Sequence, residues 1–298
     1  MAIPRFIRWH ATQIGYGALA LSAAMVVVPA TPAAAAPARP DIAVTNIASR
    51  STIIPGTVFT IGVFIQNVGS DTSGPVTVAL TGPSSVSAAT NFNPGPPWTC
   101  TGAASTWICE HAPLAAGEIA APVNLSFQAD TAVPGDVLTF TAAAAPEPGE
   151  DSISNNMRQG NIDVIAPGVI RGTLWLDTNR DGQRQPDEPR VSSDTPGMIS
   201  ITASPRTNPD DTVPPRGEGF AETDGTYSMT LEPGNYVLLV QVDRQVFQFT
   251  APDVGDDATD SDLVQFQSAE LVRAGLSDLI RLTSGGEVVV DAGLAPVS

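Results

Sequence analysis

The sequence predicts an all-β protein, two tandem sandwich domains behind an export signal, and three observations carry that expectation. Proline (27 residues) and glycine (26) are abundant while charged residues make up only 15%, a mix that suits many short strands joined by turns better than it suits helices. Apolar residues recur with a period of two in segment after segment, as at Ile61, Val63 and Ile65 and again at Tyr236, Leu238 and Val240, which is the strand period. A chain of 298 residues, 42% of them hydrophobic, is long enough to bury one full core and by expectation two.

Residues 1–38 read as a secretory signal. Arg5 and Arg8 form a positive start, Ile14 to Val28 supply an apolar stretch, and Ala33 to Ala38 offer small residues for cleavage after Ala38 or Ala35. A retained membrane anchor is the alternative, although Gln13 and Gly17 interrupt an apolar run already near the lower length limit for spanning a bilayer. No later segment is apolar for long enough to span, so no membrane span is expected once the signal is removed. The formal net charge is −17, and every basic residue is Arg. Removal of Arg5 and Arg8 takes this from −17 to −19. Such a charge opposes binding to nucleic acid or anionic membranes and favours cations.

Export gives the two cysteines a meaning. Cys100 and Cys109 are close in sequence and are expected to form one disulfide in an oxidising compartment rather than two free thiols or a metal pair. Within residues 39–166, strands are expected at Asp41 to Ile47, Val58 to Asn67, around Val76 to Leu80, at Val123 to Phe127, Val137 to Ala143 and Asn161 to Ile165, with turns at Pro55-Gly56, Asn67 to Ser70 and Leu114 to Gly117. Trp98-Thr-Cys100 and Trp107-Ile-Cys109 repeat one small pattern and suggest a hairpin with the disulfide across it. Seven or so short strands with turns every eight to twelve residues indicate an immunoglobulin-like sandwich. On Asn67-Val-Gly69, Trp98-x-Cys100 with Cys109, Leu114 to Gly117 and the Asn155-Asn156 pair, this segment resembles the CARDB-like Ig-like repeat domains of bacterial surface proteins. The resemblance implies a spacer or adhesion module.

The second half turns on Asp177-Thr-Asn-Arg-Asp-Gly-Gln-Arg-Gln-Pro-Asp-Glu188, which fits a D-x-[DN]-x-[DN]-G-x5-E calcium loop at every specified position. Asp177, Asn179 and Asp181 are spaced by two, so three side-chain oxygens can converge on one cation. Gly182 permits the turn, Gln183 offers a backbone carbonyl and Glu188 supplies two more oxygens. The flanks are not those of a helix-loop-helix unit. Residues 169–176 alternate as a strand, Pro189 disfavours an exit helix at Glu188, and Ile199, Ile201 and Ala203 resume a period of two. The loop is therefore expected to brace β elements rather than to open helices.

Further along, Ser204 to Gly219 reads as an exposed loop, Thr223 to Tyr236 as strand, turn and strand, and Leu279 to Leu282 and Val288 to Val290 as closing strands. Residues 167–298 resemble the B-type domain of serine-aspartate repeat surface proteins, related to collagen-adhesin B domains. The resemblance rests on Gly172 to Gly182, Thr223-Asp-Gly225 with Tyr227, Pro233-Gly234-x-Tyr236, Gly255 to Asp262 and Val290-Asp-Ala-Gly293. It implies a prealbumin-like β-sandwich stiffened by calcium, with Asp256, Asp257, Asp260 and Asp262 as further ligands. The isopeptide bond known in related domains is impossible in a chain without Lys.

Outside the signal the chain has one histidine, His111, which sets aside Ser-His-Asp triads and multi-histidine metal sites. Paired carboxylates, Asp177 with Glu188 or Asp256 with Asp260, have the composition of a glycosidase pair, but calcium accounts for the same oxygens. The expectation is a secreted, monomeric, non-catalytic calcium-binding module of the cell surface. A binder of carbohydrate or of another extracellular protein is the alternative, and an exposed row of aromatic residues would support it.

Overall fold

The computed structural model describes residues 39–89, 96–150, 152–206, 217–267 and 271–297. The expected signal segment and much of the loop after Pro205 lie outside the described residues. Among the described residues, ten strands precede residue 165: β1 (Ile42–Ala48), β2 (Thr52–Ile53), β3 (Val58–Asn67), β4 (Val76–Thr81), β5 (Ser87–Ala88), β6 (Thr99–Ala103), β7 (Thr106–His111), β8 (Val123–Gln128), β9 (Val137–Ala144) and β10 (Met157–Val164). They form one sheet in the order β1-β3-β8-β5 and a second in the order β2-β10-β9-β4-β7-β6.

Alternation builds this sandwich directly. In β3, Phe59, Ile61, Val63 and Ile65 are buried, and in β9, Leu138, Phe140, Ala142 and Ala144 meet them from the opposite sheet. Phe127 and Phe140 lie edge to face with centroids 5.0 Å apart, and Phe59 packs against both, a geometry that adds to area burial. The disulfide between Cys100 and Cys109 is formed, and the two residues face each other in the β6–β7 pairing. Trp107 sits in the core with its indole N–H donated to the Ser126 carbonyl, and Trp98 donates to Ala121 O. The His111 ring lies tilted against the Trp98 ring, centroids 4.7 Å apart and planes at 52°. The Asn67 motif has a physical cause. This fully buried amide accepts from Asp41 N and Gly69 N and donates to Asp71 O and Leu114 O, so one side chain ties the start of β1 to two turns with every polar atom satisfied.

Among the described residues, eleven strands follow: β11 (Gly168–Leu176), β12 (Met198–Pro205), β13 (Gly217–Gly219), β14 (Thr226–Leu231), β15 (Gly234–Asp243), β16 (Phe247–Phe249), β17 (Val264–Gln267), β18 (Val272–Leu276), β19 (Ile280–Leu282), β20 (Glu287–Val289) and β21 (Ala292–Pro296). One sheet runs β14-β11-β21-β16 with β20 also on β11; the other runs β13-β12-β15-β18-β17 with β19 also on β15. Their core includes Ile170, Leu174, Tyr227, Tyr236, Leu238, Val240 and Leu294, and it shares no residue with the first core. Trp175 is fully buried. The Tyr227 hydroxyl donates to Val290 O at 2.5 Å, and a side chain at Gly172 would collide with that same carbonyl. These contacts explain two of the landmarks read from the sequence.

Three expectations need correction. β10 begins at Met157, not Asn161, because its pairing with β9 runs from Met157↔Ala143 onward. Ile199 does not share a face with Ile201 and Ala203. A register irregularity between Met198 and Ser200 breaks the alternation and leaves Ile199 46% exposed while the other two are buried. The strands β2, β5, β13, β16, β17, β18 and β21 were not among those expected, and β13, with Gly217 and Gly219 buried, falls within the stretch expected to be an exposed loop. They are short, and β17 and β18 mix polar with apolar residues, so their period is weak.

A candidate metal centre between two acidic segments

The calcium-type loop leaves β11 at Leu176 and is folded by its own carboxylates. Asp177 is fully buried; its Oδ1 accepts from Arg180 N (2.6 Å) and Asp181 N (3.2 Å) and its Oδ2 from Gly182 N (2.9 Å). Arg180 and Gly182 both take positive φ, 63° and 80°, which wraps the chain around Asp177. Glu188, also buried, accepts from Thr178 N (2.9 Å) through Oε1 and from Gln185 N (3.1 Å) through Oε2. Asp181 is exposed. It accepts from Gln183 N (2.9 Å), Gln185 Nε2 and Asn179 Nδ2, and the Gln183 N–H, followed by the Gln185 amide, holds its carboxyl below the usual range. The expected ligands Asp177, Asn179, Asp181 and Glu188 lie in one loop, but the Asp177, Asp181 and Glu188 carboxylates are engaged by loop N–H groups and, among the described residues, do not converge within 4.8 Å as Asp257, Asp260 and Asp262 do.

The second acidic segment is built from a turn and an extended stretch. Asp256 caps the turn: its carbonyl accepts from Thr259 N (2.8 Å) and Asp260 N (3.0 Å), and its Oδ1 from Ala258 N (3.1 Å). The turn brings Asp257 beside Asp260. Beyond it, Asp260 and Asp262 are two residues apart and point to one side, while Ser261 is buried and accepts from Gly293 N (3.2 Å). Asp257, Asp260 and Asp262 each offer a carboxylate oxygen within 4.8 Å of the others. Ca²⁺ binds oxygens at about 2.3–2.6 Å, so donors on opposite sides of one ion stand about 5 Å apart, and the three carboxylates fit a single hard cation. Asp256 is exposed and does not join them, because its side chain is used in capping the turn.

Electrostatics single out the same place. Asp260 is 4% exposed and its Oδ1 has no hydrogen-bond partner. Burial, then the charge of Asp257, raises its pKa. Burial likewise pushes Asp262 up to about 6, against the stabilising N–H of Asp291 and with further help from the charges of Asp291, Asp260 and Asp257. Asp291 is raised too, chiefly by burial, although Thr173 N donates to it at 2.6 Å and Arg184 lies 3.9 Å away. Carboxylates crowded and desolvated in this way favour a proton or a cation. Asp291 was not among the residues expected at the site; its place in the Val290 to Gly293 landmark was the available signal.

Tertiary structure joins the two segments. Gln183 and Asp260 form an antiparallel bridge, Arg184 N donates to Thr259 O (2.7 Å), and the Thr259 hydroxyl donates to Gln183 Oε1 (3.0 Å). Gln183 is therefore the hinge between the acidic segments. Trp98, Trp107 and Trp175 are all buried, at 3%, 3% and 0% exposure, so none provides an exposed sugar-stacking platform. No helix among the described residues is long and apolar enough to cross a membrane.

No protein-family model matches the sequence, and no curated protein matches it. Among solved structures the chain is similar to the major pilin subunit BcpA of Bacillus cereus, with 11% identity over 86% of this chain and 70% of that one and a TM-score of 0.32. It is similar to the full-length major pilin SpaD from Corynebacterium diphtheriae, with 6% identity over 87% and 67% and a TM-score of 0.41. A third is a bacterial adhesin from Mobiluncus mulieris containing intramolecular disulfide, isopeptide and ester bond cross-links, with 9% identity over 87% and 99% and a TM-score of 0.24. Likenesses of this size leave the function of this chain to be argued from its own geometry.

Proposed function

We propose that the protein is an exported, non-catalytic structural or adhesive module of the cell surface, comprising an Ig-like domain (39–166) and a B-type domain (167–298), and that calcium stiffens the second. The observation that carries the calcium reading is Asp260: a carboxylate 4% exposed, with one oxygen unpartnered, inside a group of three acids. Leaving such a group without a counter-charge is costly, and a divalent ion held by Asp257, Asp260 and Asp262 removes the cost. The loop 177–188 would take a second ion through Asp177, Asn179, Asp181, the Gln183 carbonyl and Glu188 after exchanging some of its internal N–H bonds for metal bonds. Because Gln183 pairs with Asp260, either ion would tie β11 to the stretch that leads into β17.

Stiffening follows from linkage: at free calcium a hundred times the dissociation constant, the folded state gains about 2.7 kcal/mol. The deciding measurement is the melting temperature in millimolar calcium and in chelator. A higher midpoint in calcium is expected, and equal midpoints would remove the reading. The alternative, recognition of a glycan or surface protein as the principal activity, is disfavoured by the burial of the three tryptophans named above, the exposed aromatic rings among the described residues including Phe220 and Phe266.

A further inference from the structure

The junction between the sandwiches is built as a lock. β10 ends at Val164 and β11 starts at Gly168, so residues 165–167 alone connect two separate cores and span at most about 10 Å. Each of the three is tied down. Ile165 N donates to Ile53 O (2.8 Å) in the first sandwich, whereas Ala166 O accepts from the Ser284 hydroxyl (3.0 Å) and Pro167 O from Gly285 N (3.2 Å) in the second. Beside this connection, Arg50, in the turn between β1 and β2, reaches Glu232, in the turn between β14 and β15. Arg50 Nη1 donates to Oε1 at 3.0 Å, and Nη2 donates to Oε2, so the guanidinium grips both carboxylate oxygens.

The Glu232 side chain is 6% exposed, and its backbone carbonyl accepts from the fully buried Tyr236 hydroxyl at 2.8 Å. The acid is therefore fixed to the second core while both oxygens of its carboxylate are bound by the first sandwich. A forked pair of charge-assisted bonds is strong and directional, and a buried carboxylate that loses its partner is strongly destabilised. Pro233 and Ile54 line a hollow of about 60 Å³ at this junction, room for a few waters. We infer that Arg50 and Glu232 lock the two sandwiches into one rigid body, and that the lock works without calcium, since neither residue belongs to the acidic segments. Separation of the partners would let Glu232 rehydrate by opening the joint, turning one rigid body into two sandwiches on a short tether.

Backbone ¹⁵N relaxation on the full exported chain tests this, in calcium and in chelator. The wild type is expected to give one rotational correlation time for both sandwiches under both conditions. Arg50→Ala and Glu232→Gln should give two shorter times, one per sandwich, with the amide pattern inside each sandwich retained; the exchange Arg50→Glu with Glu232→Arg should restore a single time. Two separate times in the wild type would overturn the lock, whatever the variants do, and so would a single time that survives Arg50→Ala. An unchanged melting temperature on calcium removal would sink the metal reading and leave this one standing.

Discussion

Gln183 and Asp260 face each other across an isolated antiparallel bridge, and through that pair a loop following β11 is joined to an acidic stretch preceding β17. Under the calcium reading proposed above, an ion bound to either segment would be felt by the other.

Asp260→Asn keeps the shape of the side chain and removes its charge. The calcium-induced rise in melting temperature should shrink, with calcium affinity falling at least tenfold, about 1.4 kcal/mol. In chelator the same variant should melt no lower than the wild type, because the buried charge that burial and Asp257 disfavour is gone. Calorimetric titration and thermal melts read both effects. Unchanged affinity would show that Asp260 is not a ligand.

The pH dependence follows from Asp262, raised by burial to about 6. A carboxyl that keeps its proton to higher pH in the folded state than in the unfolded chain stabilises the fold at low pH, and that contribution is lost as pH rises through about 6. The full shift corresponds to about 3 kcal/mol, which solvent screening of a partly exposed group reduces to roughly 1–2 kcal/mol. Without calcium, urea stability of the second sandwich should therefore fall between about pH 4 and 6, and Asp262→Asn should reduce the fall, with the raised Asp260 and Asp291 carboxyls supplying the remainder. With calcium the slope should flatten, since the ion replaces the proton. A stability that rises over this window in chelator would contradict the assignment.

Gly182 occupies φ +80°, and a Cβ there would stand 3.0 Å from the Ala251 carbonyl oxygen. Gly182→Ala should cost roughly 1–2 kcal/mol in denaturant unfolding and should also weaken calcium binding, because the turn that wraps Asp177 is distorted. Loss of stability without loss of affinity would place the defect outside the site.

Cys100 and Cys109 close a short loop on a pair of neighbouring strands. Replacing both by Ser should destabilise the first sandwich by about 2.5 kcal/mol on a chain-entropy basis, while the calcium response of the second sandwich stays the same. Hydrogen exchange resolved by segment distinguishes the two. Loss of protection in β11 to β21 would mean that the hairpin supports more than its own sandwich.

The sequence made much of this legible where the signal is local. Alternation located the long strands, since burial of one face imposes a period of two. The Asp177 to Glu188 spacing disclosed a loop folded on its own carboxylates, because those contacts span only a few residues. Where distant segments meet, the sequence was silent. Nothing local marks the bulge that turns Ile199 outward or the approach of Asp291 to Asp262, whose oxygen accepts from Asp291 N at 2.5 Å.

By itself, then, the sequence determined an all-β chain with a short-range disulfide and two acidic segments rich in hard oxygen donors, because hydrophobic period, turn chemistry and ligand spacing act over a few residues. The tertiary structure decided which acids meet and where the charge is buried: Asp257, Asp260 and Asp262 beside Gln183, and Arg50 closed on Glu232. Those pairings depend on the packing of strands far apart in the chain, and the cost of desolvating a charge is set by that packing, not by the residues next to it.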